Sequence, residues 1–379
     1  MTLPRVYLDW NATAPLRPEA RAAMLAALDE VGNPSSVHAE GRRARALIER
    51  ARGQVAALVG AAPHNVIFTG SATEAAAHAL SRHWRGDGVA RPAGRLFVSA
   101  IEHPCVLAGG QFAPDEVVRV AVTSTGIVDV FALDQHLKSH NLALGKPLVA
   151  LMLANNETGV IQPVAAAAAL VHAAGGFLVC DAVQAAGRIP IDLASLGADA
   201  LFLSAHKLGG PKGVGALVLA DEAVAPAPFI RGGGQERGHR AGTENVAAIA
   251  GFGAAAEAAR AGLVDMPRIA QLRGRIESVV RSVVARNGSP RLPNTTLLTL
   301  PGGKAETLVI QLDLAGIAVS AGSACSSGKV KRSHVLEAMG LAPEIADGTI
   351  RISLGATTTE AEVERFVAAW GKIVVRRSA

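Results

Sequence analysis

Seven apolar runs mark the first 220 positions: VIF (66–68), RLFVSA (95–100), VVRVAV (117–122), PLVALMLAN (147–155), FLVCDA (177–182), ALFLSA (200–205) and GALVLA (215–220). Most are continuously apolar and do not alternate with polar residues. Strands read this way when both faces of their sheet are covered, so the pattern predicts a mostly parallel sheet with helices outside it. The segments between the runs are Ala-rich and have helical periodicity. After about residue 250 the texture changes. A helical stretch over roughly 246–287 leads to PNTTLLTL, a Gly/Ser-rich loop around Cys325, TIRISLG and a final amphipathic helix. The expected architecture is α/β. A large domain over 13–255 is built on a seven-stranded, mostly parallel sheet, and a smaller α+β domain over 256–379, together with 1–12, carries the Cys325 loop.

Composition narrows the class of function. Half of the 379 residues are hydrophobic, but only 3% are aromatic, so Ala, Val and Leu build the core. The net charge of +5 comes from arginines scattered along the chain, with no basic block interleaved with aromatics. Nucleic-acid binding is therefore not expected, and a mildly positive surface suits an anionic small molecule or an acidic protein. Cys105, Cys180 and Cys325 lie far apart with no CxxC and no His/Cys metal spacing, so we expect no resident metal and no disulfide framework. The opening MTLPRVYLDWNATAP lacks the charged and apolar regions of a signal peptide, and the Ala-rich tract 163–180 is broken by His172 and Gly175-Gly176. The expectation is a cytoplasmic protein with no membrane span.

In open α/β sheets ligands bind beyond the carboxyl ends of the strands. There the polar residues cluster: TGSATEA after the first run, AIEHP after the second, ANNETG after the fourth, CDAVQ at the fifth and SAHKLGGPKG after the sixth. Lys207, one of eight lysines, ends the sixth run and is followed by glycines. An amine held at such a mouth can be desolvated and form a Schiff base, although an exposed loop lysine reads the same way. Lys212 competes with it but lies beyond the Gly-Gly-Pro turn. Asp181 closes the fifth run and needs a hydrogen-bonding or cationic partner. A helix cap or ion pair would do, and so would a pyridinium nitrogen, because pyridoxal 5′-phosphate (PLP) enzymes pair that nitrogen with an aspartate. Ala72 and Thr73 open a helix whose first amides suit a phosphate, unless Ser71 and Glu74 make only a cap. His103 is placed to stack on a ring or to carry protons.

Two nucleotide-binding motifs are excluded. Gly322 and Gly328 enclose five residues and Val330 follows Lys329, so no P-loop forms there. GGGQERG at 232–238 has Arg237 where a dinucleotide fingerprint needs its third glycine. Cys325 lies in SAGSACSSGKVKRSH, among small residues that present a side chain better than they pack it.

The chain resembles the cysteine desulfurases of the NifS/IscS type, within the class V aminotransferase group of fold-type I PLP enzymes. YLDWNATAP, GNPSSVH, ATEA, EHP, NNETG, CDAVQ, SAHKLGGPKG, GGGQERGHRAGTEN, SAGSACSSG and IRISLG carry the resemblance, in order and nearly end to end. It implies a PLP-dependent homodimer that converts L-cysteine to L-alanine. Sulfur is left on Cys325 as a persulfide for a sulfur-acceptor protein such as an iron–sulfur scaffold, where Cys325 can transiently ligate a nascent cluster. By the same resemblance Lys207 forms the Schiff base, Asp181 holds the pyridine nitrogen, and Gln184 lies by the ring hydroxyl. His103 stacks on the ring and transfers protons. Ala72, Thr73, Ser204 and His206 hold the phosphate, completed by Thr243 from the other subunit. Asn156 adjoins ring and substrate, Arg351 clamps the substrate carboxylate, and Asn33 lies nearby. A selenocysteine lyase or an aminotransferase of the same fold is the alternative. Gly70-Ser71 is transposed relative to the family, AAAH (75–78) replaces a polar stretch, and VKRSHVL replaces an acid and a proline with two bases.

Overall fold

The computed structural model describes residues 4–86, 89–280, 289–322 and 332–378. All seven apolar runs form strands, and seven further strands appear among the described residues. In chain order they are β1 (Val6–Tyr7), β2 (Val66–Thr69), β3 (His83–Gly86), β4 (Val89–Ser99), β5 (Val117–Val120), β6 (Lys146–Met152) and β7 (Phe177–Asp181). There follow β8 (Ala200–Ser204), β9 (Gly215–Leu219), β10 (Val224–Pro226), β11 (Thr295–Thr299), β12 (Ile317–Ala318), β13 (Ser320–Ala321) and β14 (Thr349–Ser353).

The seven runs lie side by side in the order β5-β4-β6-β7-β8-β9-β2. Only β9 runs against the rest, pairing antiparallel with β8 and β2. Successive residues of a strand face opposite cores, which is why the runs are continuously apolar. Val149, Leu151, Leu178 and Cys180 enter one core with Ile48, Val55 and Phe252. Leu148, Ala150, Phe177 and Val179 enter the other with Ala75, Ala76 and Trp84. Helices Ala39–Leu58, Val246–Ala261 and Pro18–Leu28 pack on one another outside the first core.

Two features depart from the sequence pattern. The first half of β4 leaves the main sheet at a register shift between Ala93 and Arg95 and pairs with β3, which pairs in turn with β10. This extension takes the main sheet to nine strands. The helical stretch after 246 is two helices, Val246–Ala261 and Met266–Val279, parted by a turn at Gly262–Asp265, and Pro267 opens the second.

The C-terminal part has its own core of Ile269, Leu272, Leu308, Leu312, Ile350, Phe366 and Trp370, which also takes in Val6 and Leu8 from the N-terminus. β1 pairs with β12, and β11, β14 and β13 form an antiparallel sheet. A fourth apolar cluster, with Ile101, Met152, Leu297, Val335 and Leu336, joins residues near the ends of β4 and β6 to the C-terminal elements.

Candidate active site

A cavity of about 480 Å³ opens beyond the carboxyl ends of β6, β7 and β8. Ten of the expected site residues line it: Ala72, Thr73, His103, Asn156, Asp181, Gln184, Ser204, His206, Lys207 and Arg351.

Lys207 ends the short turn after β8. Its Nζ donates to the carbonyls of Asn11 at 2.7 Å and Ala12 at 2.9 Å. Those carbonyls belong to the turn after β1, which the side chain of Asn11 fixes by donating to Thr295 Oγ1 and the Asn156 carbonyl. Gln184 Nε2 also donates to the Asn11 carbonyl. Behind Gln184, buried Arg188 donates to Gln184 Oε1 at 2.8 Å and to the Lys207 carbonyl at 3.3 Å. Burial, with help from Arg351, lowers the Arg188 pKa to about 9.

Asp181, the last residue of β7, is buried, and its Oδ1 accepts the Val183 N–H at 2.9 Å. Burial raises its pKa to about 6, against the hydrogen bond from Val183 and the charge of Lys207. A carboxylate so placed favours a cationic N–H across from it, as a protonated pyridine provides. His103 caps the helix Pro104–Leu107, and its Nδ1 accepts the Cys105 N–H at 3.3 Å and lies 3.0 Å from Cys105 Sγ. An Nδ1 that accepts leaves the ring proton on Nε2. Burial, Lys207 and His334 lower the His103 pKa to about 4, so the ring is neutral at pH 7.

At the phosphate end, Ser71 caps the helix Ala72–Ala79 by accepting the Glu74 N–H, while Glu74 Oε2 accepts the Gly70 N–H at 2.8 Å. The amides of Ala72 and Thr73 open the helix at the cavity, where first-turn donors have no intrahelical acceptor. A Cβ on the transposed Gly70 would lie 2.7 Å from Glu74 Oε2, the far end of a flexible side chain that can shift to make room. His206 Nδ1 meets Thr13 Oγ1 at 3.2 Å, and burial with Lys207 and Lys212 lowers its pKa to about 4. The helix start at Ala72 and Thr73 and the buried carboxyl of Asp181 have the donors and the acid that the phosphate and protonated ring of PLP would need.

At the far end, Arg351 is buried on β14. Its Nη1 donates to the Asn156 carbonyl at 2.9 Å and its Nη2 to Asp9 Oδ1 at 2.8 Å. Its Nε is buried with no acceptor among the described residues, a donor left for an incoming carboxylate.

Two expected site residues do not line this cavity in the isolated chain, Asn33 and Thr243. Asn33 is exposed, and its Oδ1 accepts the Ser35 N–H at 2.9 Å. Thr243 is exposed in the segment before the helix Val246–Ala261. Cys325 lies outside the described residues. Conversely, Asn11, Thr13, Cys105 and Lys212 line the cavity without having been assigned a role. The Gly-Gly-Pro turn was expected to carry Lys212 away. Instead it folds back, with Gly209 at φ 91° and Gly213 at φ 83° and the Gly210 N–H on the Ala205 carbonyl. Cys180 is buried in the sheet core, as expected of a packing cysteine.

Residues 6–366 match the family model "Aminotransferase class-V". A cysteine desulfurase of Cereibacter sphaeroides is 44% identical over 96% of this chain and 94% of its own length. One from Klebsiella pneumoniae is 42% identical over 98% of this chain and 93% of its own. Among solved structures, a NifS-like protein from Rickettsia africae superposes with a TM-score of 0.85 at 35% identity, covering 97% of this chain and 99% of its own.

Proposed function

This chain belongs to the class-V aminotransferase family, and from that premise we propose that it is a PLP-dependent cysteine desulfurase that moves the sulfur of L-cysteine to Cys325 and releases L-alanine. The observation that carries the reading is the gathering of Lys207, Asp181, His103 and Arg351 around one cavity, with a helix N-terminus at its phosphate end.

PLP, when bound, supplies an aldehyde for amines and a ring that withdraws electrons from the substrate Cα. Ala72, Thr73, Ser204 and His206 would hold its phosphate, and Asp181 would keep a proton on the ring nitrogen. Gln184, fixed by Arg188, would lie by the ring hydroxyl. Neutral His103 can stack on the ring and carries a proton on Nε2. Arg351 and Asn156 orient the substrate carboxylate, which aims the Cα–H toward Lys207. The Asn11 and Ala12 carbonyls hold the Lys207 amine where it can take that proton and return it. The Cys325 thiolate attacks the substrate sulfur, so an S–S bond forms as the C–S bond breaks. The electron pair left on the substrate carbon is protonated to give alanine, and the enzyme keeps a persulfide.

We further propose a cytoplasmic homodimer that passes this sulfur to an acceptor protein. Thr243, exposed in the isolated chain, is offered to the neighbouring subunit's phosphate site. The test is alanine production from L-cysteine by the PLP-loaded protein and by Cys325→Ala, with a thiol reductant present. Wild type should make alanine and the variant almost none. Equal rates would make the thiol incidental and favour a lyase of the same fold.

A further inference from the structure

The turn that holds Lys207 also reaches the other end of the cavity. Asp9 leads into it, and Asn11 and Ala12, whose carbonyls take the Lys207 amine, follow. The main chain at Asp9 is laid along the last residue of β14. Asp9 bridges Ser353, the Ser353 N–H donates to the Leu8 carbonyl at 2.8 Å, and the Trp10 N–H donates to the Ser353 carbonyl at 3.3 Å. Ser353 Oγ accepts the Asn11 N–H at 2.9 Å. The Tyr7 hydroxyl donates to the Thr13 carbonyl at 2.8 Å and closes the turn. Side chains two apart on a strand share a face, so Ser353 lies on the same face of β14 as Arg351. That register sets the Asp9 carboxylate against the Arg351 guanidinium.

Arg351 is buried, and two of its nitrogens are held from different elements. Nη2 donates to Asp9 Oδ1 at 2.8 Å and Nη1 to the Asn156 carbonyl at 2.9 Å. The same carbonyl accepts the Asn11 side-chain N–H at 3.2 Å, so the guanidinium and the Lys207 turn share an anchor. Nε has no acceptor among the described residues. A second acid feels this cation, since Arg351 pulls down the Glu157 pKa, which burial raises to about 7. Glu157 Oε2, however, accepts the Ser333 hydroxyl at 2.5 Å, and among the described residues Asp9 is the acid that hydrogen-bonds Arg351. An arginine free to rotate loses that freedom when it binds a carboxylate, whereas one already held on two sides has little left to lose.

We propose that Asp9 is a positioning residue for the substrate, holding Arg351 so that the guanidinium receives the amino-acid carboxylate at a fixed place relative to the Lys207 amine. This rests on the desulfurase reading. The contact acts on ligands that carry a carboxylate and on no others.

The test titrates holoenzyme with L-alanine and with ethylamine, the same molecule without its carboxylate, and follows the cofactor absorbance. Ethylamine reads the cofactor and Lys207, and L-alanine adds Arg351. Wild type should bind L-alanine much more tightly than ethylamine. Asp9→Ala should weaken L-alanine by about tenfold or more and leave ethylamine within about twofold. Asp9→Leu fills the space of the carboxylate without offering an acceptor and should do the same, which keeps the test open if the alanine variant does not fold. Asp9→Asn keeps an acceptor for Nη2 and should recover most of the L-alanine affinity. With L-cysteine as substrate, Asp9→Ala should raise KM by a similar factor and leave kcat within about twofold. Unchanged L-alanine affinity in Asp9→Ala or Asp9→Leu overturns the proposal, and so does an equal loss for both ligands. An Asp9→Asn variant no better than Asp9→Ala overturns it too, as does a wild type that fails to tell the ligands apart. If wild type makes no alanine from L-cysteine the desulfurase reading fails, and the two titrations still decide whether Asp9 serves the carboxylate.

Discussion

Asp181 shows how a single residue can be stabilising or destabilising according to what faces it. Burial, outweighing the Val183 hydrogen bond and the charge of Lys207, has moved its carboxyl from an ordinary 3.8 to about 6. Between those two values the folded chain binds more protons than the unfolded one, so stability falls as pH rises through that window and stays low above it. A change of that size corresponds to roughly 3 kcal/mol. Asp181→Asn keeps an acceptor for the Val183 N–H and removes the charge. Cofactor-free Asp181→Asn should therefore melt above wild type at pH 8, and the gap should close towards pH 5. His103, His206 and His78, lowered to about 4, act in the opposite sense, adding stability as pH rises from about 4 to 6.5. They are common to both proteins, so the comparison isolates the carboxyl. With PLP bound the order should reverse, because wild type then pairs its carboxylate with the ring nitrogen. Calorimetry at the two pH values checks this, and a cofactor-free variant no more stable than wild type at pH 8 would count against the buried charge. Asp181, Lys207 and His103 were legible in the sequence because each is an ionisable group at the end of an apolar run. Asn11 and Glu157 were not, because they act on residues more than 170 positions away, Lys207 and Ser333, and no local pattern records such contacts.

At the scale of elements, the phosphate end depends on how closely a strand approaches a helix start. A Cβ on Gly215, the first residue of β9, would lie 2.6 Å from the Ser71 carbonyl carbon and 2.8 Å from the Ala72 nitrogen. Both atoms are backbone, so the turn itself would have to move. Gly215→Ala should lower PLP affinity by about tenfold or more and cost roughly 1–3 kcal/mol, as overpacking does. Gly274, in the helix Met266–Val279, has nothing within 4 Å of its added Cβ. Gly274→Ala should raise stability by up to about 1 kcal/mol and leave PLP affinity unchanged. Cofactor titration by absorbance together with melting curves separates the two effects, and equal PLP affinity in both variants would dissociate Gly215 from the phosphate turn. The seven core strands were readable because burial on both faces leaves an unbroken apolar run. The β3–β4–β10 extension was hidden because its half of β4, VARP, is largely exposed and contains a proline. Trp84 is its anchor, buried and stacked on Phe177 at 4.7 Å between ring centroids.

At the scale of the whole molecule the question is which subunit supplies Thr243. The segment before it is held to its own chain. Glu236 makes a buried two-pronged pair with Arg52 at 2.7 and 2.8 Å and accepts the Phe68 N–H, and Arg240 pairs with Glu74 at 2.8 Å. Glu236 and Arg237 keep positive φ angles of 45° and 55°, a conformation that needs such support in residues other than glycine. So anchored, Thr243 still does not line its own chain's cavity. In the proposed homodimer it reaches the other one, and mixed dimers test this. Lys207→Ala subunits lack the Schiff-base amine, and Thr243→Ala subunits lack the phosphate contact, so each homodimer should be inactive or impaired at subsaturating PLP. A dimer holding one of each has a site that combines an intact Lys207 with the other subunit's intact Thr243, and a second site that has neither. Exchanging subunits of the two variants should therefore restore desulfurase activity towards that of one site per mixed dimer. If Thr243 served its own subunit, every site with an intact lysine would lack its threonine, and mixing would restore nothing. Activity measured against the mixing ratio, with dimer formation followed by sedimentation, distinguishes the two arrangements.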